Sequence, residues 1–231
     1  MLMQRDVKIM DKEQVMTVEE ETVNIKLYMY LITKRFFDII FSLFGIVLLI
    51  PLTIVIKIIY VLSGDFKSIF YYHERIGKNG KPFNLYKYRT MVPNSAEMLE
   101  EMLKDKKYLK EWKENHKFEN DPRITKAGKF LRKTSLDEIP QFINILFGHM
   151  SLIGPRPMIQ EEVEEYGKDK EKLLSMRPGL TGWWACNGRS CTTNKERKKL
   201  ELYYIDNCSI KLDIKTIYKT IITVIKKEGA K

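Results

Sequence analysis

The sequence is poor in cysteine and histidine, with three residues of each among 231. Cys186, Cys191 and Cys208 are odd in number, and they show neither paired CxxC spacing nor an attendant histidine cluster. This pattern argues against a disulfide framework and against a structural zinc site. We therefore expect ordinary thiols in a reducing compartment.

The sequence also lacks an internal repeat, a low-complexity segment and the pattern of a signal peptide. Residues 1–32 are polar and locally acidic, with three consecutive glutamates at 19–21. No basic region leads there into a short apolar stretch with a small-residue cleavage site. We predict that residues 1–32 form an N-terminal tail, either mobile or folded as a short peripheral helix.

Acidic residues are outnumbered by basic ones, 30 against 40, which gives a formal charge of +10. Such a surplus suits an anionic partner. Nucleic acid, phospholipid head groups and nucleotide-linked substrates all meet this requirement, so charge alone leaves the class of partner open.

Charge is scarce in one long stretch, Phe36–Leu62, whose 27 residues are strongly apolar. A helix needs about 20 such residues to cross a bilayer, so this stretch indicates a membrane protein. Pro51 is expected to break the helix there. The two halves would be about 22 Å and 16 Å long at 1.5 Å per residue, and neither crosses a hydrocarbon core of about 30 Å.

The flanks of this apolar stretch bear on its topology. Lys34 and Arg35 precede it, and the long domain after it is also rich in lysine and arginine. The positive-inside rule then favours one side for both flanks, so residues 33–62 would enter the membrane, bend at Pro51 and return. A kinked spanning helix is the alternative. Three polar residues suit a shallow hairpin better than a deep span: Asp38, Ser42 and Lys57.

Residues 63–231 have the character of a small α/β, mostly helical domain. Ile69–Tyr72 and Phe83–Tyr88 are predicted strands of a β-hairpin, joined through a turn at Gly77–Gly80. A helix is predicted from Asn94 to about Lys117, with Asn94 in a capping signal. The amphipathic segment Leu212–Lys227 either lies in the membrane interface or closes the soluble core.

Two adjacent carboxylates, Asp137 and Glu138, stand between a basic cluster and a helix-starting proline. One interpretation is purely structural: Ser135 and Glu138 have the spacing of a capping box, and Pro140 moves the N-cap toward Asp137. Either way a helix is expected to begin here.

The other interpretation of the carboxylate pair is chemical. Arg132 and Lys133 precede it, and nearby positive charge is expected to lower the pKa of a carboxyl group and keep it ionised. An ionised carboxylate beside backbone N–H groups that hold phosphate oxygens can attack phosphorus.

Further basic residues occur in contexts made rigid by glycine and proline. Together with the acidic pair they are typical of a diphosphate site that a carboxylate-bound divalent ion would help neutralise. In WWACNGRS, Trp183–Ser190, an aromatic ring with an amide and a guanidinium nearby could bind a nucleobase and its phosphate, although core packing explains a tryptophan equally well. The basic residues concerned are Lys87, Arg89, Arg132, Arg156 and Arg189.

Six motifs in order carry a resemblance to a known family: RIGKNGKPFNLYKYRTM, NDPRITKAGKFLRKTSLDEIPQ, MSLIGPRP, RPGLTG, NGR and YYIDN. The chain closely resembles the bacterial sugar transferase domain of monotopic phosphoglycosyl transferases over about residues 33–228. The resemblance implies transfer of a phosphosugar from a UDP-sugar to polyprenyl phosphate, with release of UMP. It also implies a re-entrant helix in the bacterial inner membrane and a catalytic domain on the cytoplasmic face.

The resemblance assigns roles to individual residues. It implies that Asp137 is the nucleophile and forms an aspartyl-phosphosugar, while Glu138 supports it and both help to place Mg²⁺. Arg132 would hold phosphate, and Lys87 and Arg89 would line the site. Arg156 and Arg189 would face the nucleotide, and Asn187 is a further expected substrate-binding residue.

Two other classes of function stay open at this point. A basic membrane-anchored protein could bind anionic lipid or nucleic acid without catalysis, although the basic residues form no uninterrupted run. A glycosyltransferase without a covalent intermediate would release UDP instead of UMP. We expect membrane lipids and no nucleic acid among the partners, and the sequence leaves homodimerisation open.

Overall fold

The structure is a computed structural model that describes residues 2–115, 118, 120–188 and 192–226. Helices dominate, and the described strands form two small two-stranded sheets. The predicted α/β, mostly helical fold is therefore confirmed. The elements are α1 Leu2–Leu62, β1 Phe70–Ile76, β2 Pro82–Tyr88, α2 Ser95–Met102, α3 Lys106–Asn115, α4 Lys126–Thr134, α5 Gln141–Leu146, β3 Ser151–Ile153, α6 Gln160–Glu164, α7 Lys170–Leu174, β4 Gly179–Thr181, α8 Asn194–Asp206 and α9 Ile210–Lys226.

Helix α1 is continuous and contains Pro51. The predicted division into two helical segments at that proline is therefore wrong, and residues 2–32 continue into the apolar segment as helix. Packing accounts for this continuity, because Leu49 and Ile56, on either side of the proline, enter one cluster with Tyr88 and Leu131. Proline removes a helical hydrogen bond, and side-chain burial on both sides offsets that loss.

One face of α1 packs on the domain and the other is exposed. The buried positions recur every three or four residues, as in Tyr30, Lys34, Asp38 and Ser42. Large apolar side chains such as Phe44, which is 64% exposed, cover the opposite face. Among the described residues, Ile25–Leu62 is the one helix long and apolar enough to cross a membrane. Its route through a bilayer stays a prediction.

Polar contacts fix α1 against the domain. Lys34 forms a buried ion pair with Asp213 of α9, with 2.8 Å between Nζ and Oδ2. The Asp38 carboxylate accepts a hydrogen bond from the Leu152 backbone N–H at 2.8 Å. The polar residues expected to disfavour a deep span thus include one that ties the helix to strand β3.

Gly45 allows α1 to approach α5 closely. A Cβ atom at this position would lie 2.4 Å from Cγ of Phe142, well inside van der Waals contact. The absence of a side chain therefore brings the apolar helix against the short helix that follows the carboxylate pair.

The predicted β-hairpin is confirmed, with antiparallel pairing of β1 and β2 from Phe70↔Tyr88 to Ile76↔Pro82. Its turn contains Asn79 at φ 58°, a conformation that asparagine tolerates better than most residues. A second pairing was not predicted: β3 and β4 are parallel and lie within the motifs MSLIGPRP and RPGLTG, where the sequence predicted no strand.

The predicted helix over 94–117 is interrupted. Helix α2 ends at Met102 and α3 begins at Lys106, because Asp105 Oδ1 accepts a hydrogen bond from the Lys107 N–H at 2.7 Å and starts a new helix. Asn94 occupies the N-cap of α2 without a side-chain capping hydrogen bond. The predicted end of this helix, residues 116–117, lies outside the described residues.

The amphipathic C-terminal segment is helix α9. Leu212 and Thr216 are buried against the core, whereas Ile214 is 63% and Tyr218 65% exposed. One face of α9 thus closes the domain, and an apolar strip on its other face is available to a membrane interface. Lys227, the predicted end of this segment, lies outside the described residues.

Candidate active site

A tight turn holds the carboxylate pair between two helices. Helix α4 ends at Thr134, and Ser135 follows in the left-handed region at φ 56°. Asp137 and Glu138 then lie in a 3₁₀ turn before α5. The Ser135 side chain makes no capping hydrogen bond there, so the predicted capping box and the helix N-cap at Asp137 are both wrong. The left-handed conformation of Ser135 ends α4, so the carboxylates lie outside an α-helix.

Asp137 is largely buried, with 9% of its surface exposed. Burial raises the pKa of its carboxyl group above the usual value; the Lys87 ammonium opposes this, Glu138 adds to it, and Arg132 opposes it. Arg132 does lower this pKa, as expected, but the net direction is upward, because the removal of the carboxylate from water outweighs the attraction of the cations.

Glu138 and Lys87 form an ion pair with 2.7 Å between Oε1 and Nζ, and both residues line a pocket. Lys87 lies on β2, so the hairpin brings this cation to the turn that carries the carboxylates. Asp137 is not among the lining residues of the pocket. We call Lys87, Arg132, Asp137 and Glu138 the carboxylate cluster.

Arg132 is held near Asp137 by its own contacts. Its Nε donates a hydrogen bond to Thr90 Oγ1 at 2.9 Å. Burial lowers the pKa of its guanidinium, and the charge of Asp137 counteracts that effect. Arg132 thus contributes positive charge to the carboxylate cluster from outside the pocket lining.

Arg89 makes its contacts outside the pocket lining. It pairs with Asp65 at 2.9 Å, donates to the Ser68 carbonyl oxygen at 2.7 Å, and lies over the Tyr60 ring at 4.9 Å. These contacts tie the end of α1 to the hairpin. Arg89 is not one of the residues that line the pocket.

A second group of charges surrounds the same pocket. Arg75, Arg156, Trp184 and Glu201 line it, and the Arg156 guanidinium lies 5.6 Å from the centre of the Trp184 ring. Two neighbouring residues, Glu162 and Arg197, complete the group. Glu162 Oε1 pairs with Arg197 Nη1 at 3.2 Å. We call the charged members of this group the arginine cluster: Arg75, Arg156, Glu162, Arg197 and Glu201.

The tryptophan and amide of WWACNGRS have different surroundings. Trp184 lines the pocket, whereas Trp183 belongs to a buried cluster of the core. Both ends of the Asn187 amide have partners: Nδ2 donates to the Trp183 carbonyl oxygen in the same loop at 2.6 Å, and Oδ1 accepts from Lys219 of α9. Arg189 lies outside the described residues.

Sequence reasoning missed Arg75 and Glu201. Arg75 belongs to the quoted motif RIGKNGKPF, which was a usable signal. For Glu201 the sequence offers no such signal, because it is one of many charged residues in helix α8. In the structure it is fully buried. Its Oε1 accepts a hydrogen bond from the Arg156 N–H at 3.1 Å, and its Oε2 has no hydrogen-bond partner. Burial raises the pKa of this carboxyl group to about 7.

Within the described ranges, no group of three or more histidine, cysteine, aspartate or glutamate side chains could hold a metal ion. Asp137 and Glu138 supply carboxylate oxygens of the kind that Mg²⁺ prefers. Because Mg²⁺ is often held by one or two carboxylates together with substrate phosphates, this pair fits a magnesium ion that binds with its substrate.

Fold and site together define a small mixed domain, docked on a long apolar helix, whose pocket joins acidic side chains to a surplus of guanidinium groups. The chain belongs to the bacterial sugar transferase family, whose model matches residues 29–227. The expected family is therefore confirmed.

Named relatives support this assignment. The chain is 43% identical over 198 residues to the UDP-galactose-lipid carrier transferase of Erwinia amylovora, covering 85% of this chain and 41% of that protein. It is 41% identical to the undecaprenyl-phosphate galactose phosphotransferase of Salmonella typhimurium, again over 85% of this chain and 41% of the relative. It is 40% identical to the exopolysaccharide production protein ExoY of Sinorhizobium fredii, over 86% of this chain and 88% of the relative. The chain thus spans about two fifths of the first two relatives and most of the third.

Proposed function

We propose that this protein transfers a sugar 1-phosphate from a UDP-sugar to undecaprenyl phosphate and releases UMP, as an early membrane step in polysaccharide or glycoconjugate assembly. The observation that carries the proposal is Asp137, a buried carboxyl group beside the Lys87–Glu138 ion pair of a pocket with excess guanidinium charge. The name of the Salmonella relative, undecaprenyl-phosphate galactose phosphotransferase, supports the same class of reaction.

In the first half-reaction, an Asp137 carboxylate oxygen attacks the sugar-bearing phosphorus of the UDP-sugar. A bond from aspartate oxygen to phosphorus forms, the bond from phosphorus to the bridging oxygen breaks, and UMP leaves with that electron pair. Since only 9% of Asp137 is exposed, its carboxylate must turn toward the pocket for this attack.

In the second half-reaction, an oxygen of the lipid phosphate attacks the same phosphorus. The bond between aspartate and phosphorus breaks, Asp137 is restored as a carboxylate, and the product is a lipid diphosphate sugar. Lys87 and Arg132 favour the ionised form of Asp137 that each cycle requires, against the effect of its burial.

Asp137 and Glu138 would hold Mg²⁺ together with the substrate phosphates. When bound, the ion would supply positive charge that stabilises the transferring phosphoryl group. Glu138 is paired with Lys87 at 2.7 Å. To bind Mg²⁺, the Glu138 carboxylate would leave Lys87 or share its two oxygens between Lys87 and the ion.

The apolar helix supports a site close to a lipid substrate. The exposed face of α1 and the apolar strip of α9 present large apolar side chains on the domain surface. We propose that the protein resides in the bacterial inner membrane with its pocket on the cytoplasmic side, where nucleotide sugars are available.

The test measures products in detergent with Mg²⁺, undecaprenyl phosphate and a panel of UDP-sugars, with UMP and UDP assayed separately. Release of UMP that needs both substrates would support the proposal. Release of UDP would instead indicate a glycosyltransferase, and salt-sensitive lipid binding without a nucleotide product would indicate a binding protein.

A further inference from the structure

We propose that Arg75 is a phosphate-binding residue, which together with Arg156 holds a phosphate group of a substrate in the pocket. This inference rests on the proposed function for the identity of the substrates. The phosphate could come from the nucleotide of the UDP-sugar or from the lipid acceptor, and the experiment below separates the two.

The position of Arg75 gives its guanidinium access to the pocket. It stands near the end of strand β1, its side chain is 15% exposed, and it lines the pocket together with Arg156. The strand is paired along its length with β2, so the backbone beneath this side chain is fixed.

The charges around Arg75 are poorly balanced. Its Nη1 lies 3.5 Å from Glu162 Oε2, and the same carboxylate also pairs with Arg197. Arg156 takes part in no ion pair within the part of the chain that the structure describes. Burial lowers the pKa of Arg75, and the nearby positive charge of Arg156 lowers it further.

The remaining carboxylate does not restore the balance. Glu201 has its pKa raised to about 7, so its negative charge is incomplete near neutral pH. Three guanidinium groups therefore face one full and one partial carboxylate. Arg75 Nε is also buried without a hydrogen-bond partner.

An anion with several acceptor oxygens would neutralise the excess positive charge and would accept a hydrogen bond from Arg75 Nε. A phosphate group neutralises neighbouring guanidinium ions and accepts the paired hydrogen bonds that the planar arginine fork offers. Charge-assisted bonds of this kind contribute roughly 1.5–3 kcal/mol each, which corresponds to about a tenfold to hundredfold change in affinity.

The experiment measures binding without turnover, using the full chain in detergent with Asp137→Asn as the background. Calorimetric titrations with UMP and UDP form one arm, and titrations with undecaprenyl phosphate in micelles form the other. Arg75→Gln is compared with Arg177→Gln, a control that also removes one part-buried guanidinium group. Arg177 donates a hydrogen bond to the Gly148 carbonyl oxygen at 2.8 Å, belongs to neither cluster and does not line the pocket.

We expect Arg75→Gln to weaken the binding of one ligand by roughly tenfold or more and Arg177→Gln to leave the binding of both ligands nearly unchanged. The arm that loses affinity identifies the source of the phosphate. Equal losses in the two variants, or no loss in a folded Arg75→Gln protein, would overturn the proposal.

A second variant covers the case in which Arg75→Gln unfolds. Arg75→Lys keeps the charge and loses the planar fork, and unchanged affinity in both arms would then overturn the proposal. Because binding is measured apart from catalysis, absence of sugar transfer by the unsubstituted enzyme would refute the proposed function and leave the binding result standing.

Discussion

The carboxylate cluster and the arginine cluster border the same pocket and differ in how their charges are balanced. In the carboxylate cluster, two acidic and two basic side chains compensate one another, and burial still raises the pKa of Asp137. In the arginine cluster, three guanidinium groups exceed the available negative charge, and Glu201 is partly neutral. A balanced, desolvated cluster suits a reacting group, whereas an unbalanced one suits a ligand that brings its own negative charge.

The sharpest test of this division is Asp137→Asn. We expect it to lower UMP release by about a thousandfold or more while leaving substrate binding largely intact, since an amide cannot act as the nucleophile. The measurement is single-turnover UMP release, with the melting temperature as a check on folding. Activity near that of the unsubstituted enzyme in a folded variant would remove Asp137 from the mechanism.

Lys87→Met tests how the carboxylate cluster keeps Asp137 ionised. We expect roughly a hundredfold loss of activity, because the variant loses the partner of Glu138 and a positive charge near Asp137. Lys87 lowers the pKa of Asp137, so its removal raises that pKa further, and activity should be lost at a higher pH as the solution is acidified. A pH–rate profile of variant and parent measures this, and an unchanged midpoint would contradict the electrostatic role.

Glu201→Gln tests the arginine cluster through stability. The folded-state pKa of Glu201 lies near 7, above its usual 4.5, so its contribution to stability is present at low pH and is lost as the pH rises from about 4.5 through 7. The neutral variant should escape this loss, and at pH 8 it should gain up to about 3 kcal/mol relative to the parent.

The measurement for Glu201→Gln is chemical denaturation at pH 5 and at pH 8. If Glu201→Gln stabilises the protein more at pH 5 than at pH 8, the predicted pH dependence is contradicted. The glutamine can still accept the Arg156 N–H hydrogen bond, so this variant is expected to fold.

The smallest effect is expected outside both clusters. Asp206 pairs with Lys172 on the surface at 2.6 Å, with 52% of its side chain exposed. Asp206→Asn should change stability by less than about 1 kcal/mol and leave UMP release unchanged, since exposed ion pairs contribute little. A large loss of activity in this variant would show that removal of a carboxylate anywhere is harmful, and would weaken the inference from Asp137.

Local patterns were sufficient for some features and insufficient for others. The hairpin was predictable because two strand-like runs flank a glycine-containing turn. Lys87 and Glu138, both named as site residues from the sequence, form an ion pair and line one pocket, and their roles stay a prediction. Strands β3 and β4 were not predicted, since each has three residues and their partners are far apart in the chain. Such a pairing depends on tertiary packing more than on propensity.

Burial explains the remaining differences between prediction and structure. The sequence places cations beside Asp137 but does not reveal how much water the fold removes, and that loss sets the direction of its pKa. Helix α1 continues through Pro51 because residues on both sides pack into the same cluster. Glu201 looks like one more exposed acid in a charged helix until the tertiary structure encloses it.

The most direct test is to look for the covalent intermediate by mass spectrometry. Detergent-solubilised protein is incubated with Mg²⁺ and a UDP-sugar that supports UMP release, without lipid phosphate, and then digested. We expect a sugar-phosphate adduct on the peptide that contains Asp137, lost on addition of undecaprenyl phosphate and missing in Asp137→Asn. Rapid UMP release and lipid product formation with no adduct under any quench condition, or an equal adduct in Asp137→Asn, would contradict Asp137 as the nucleophile.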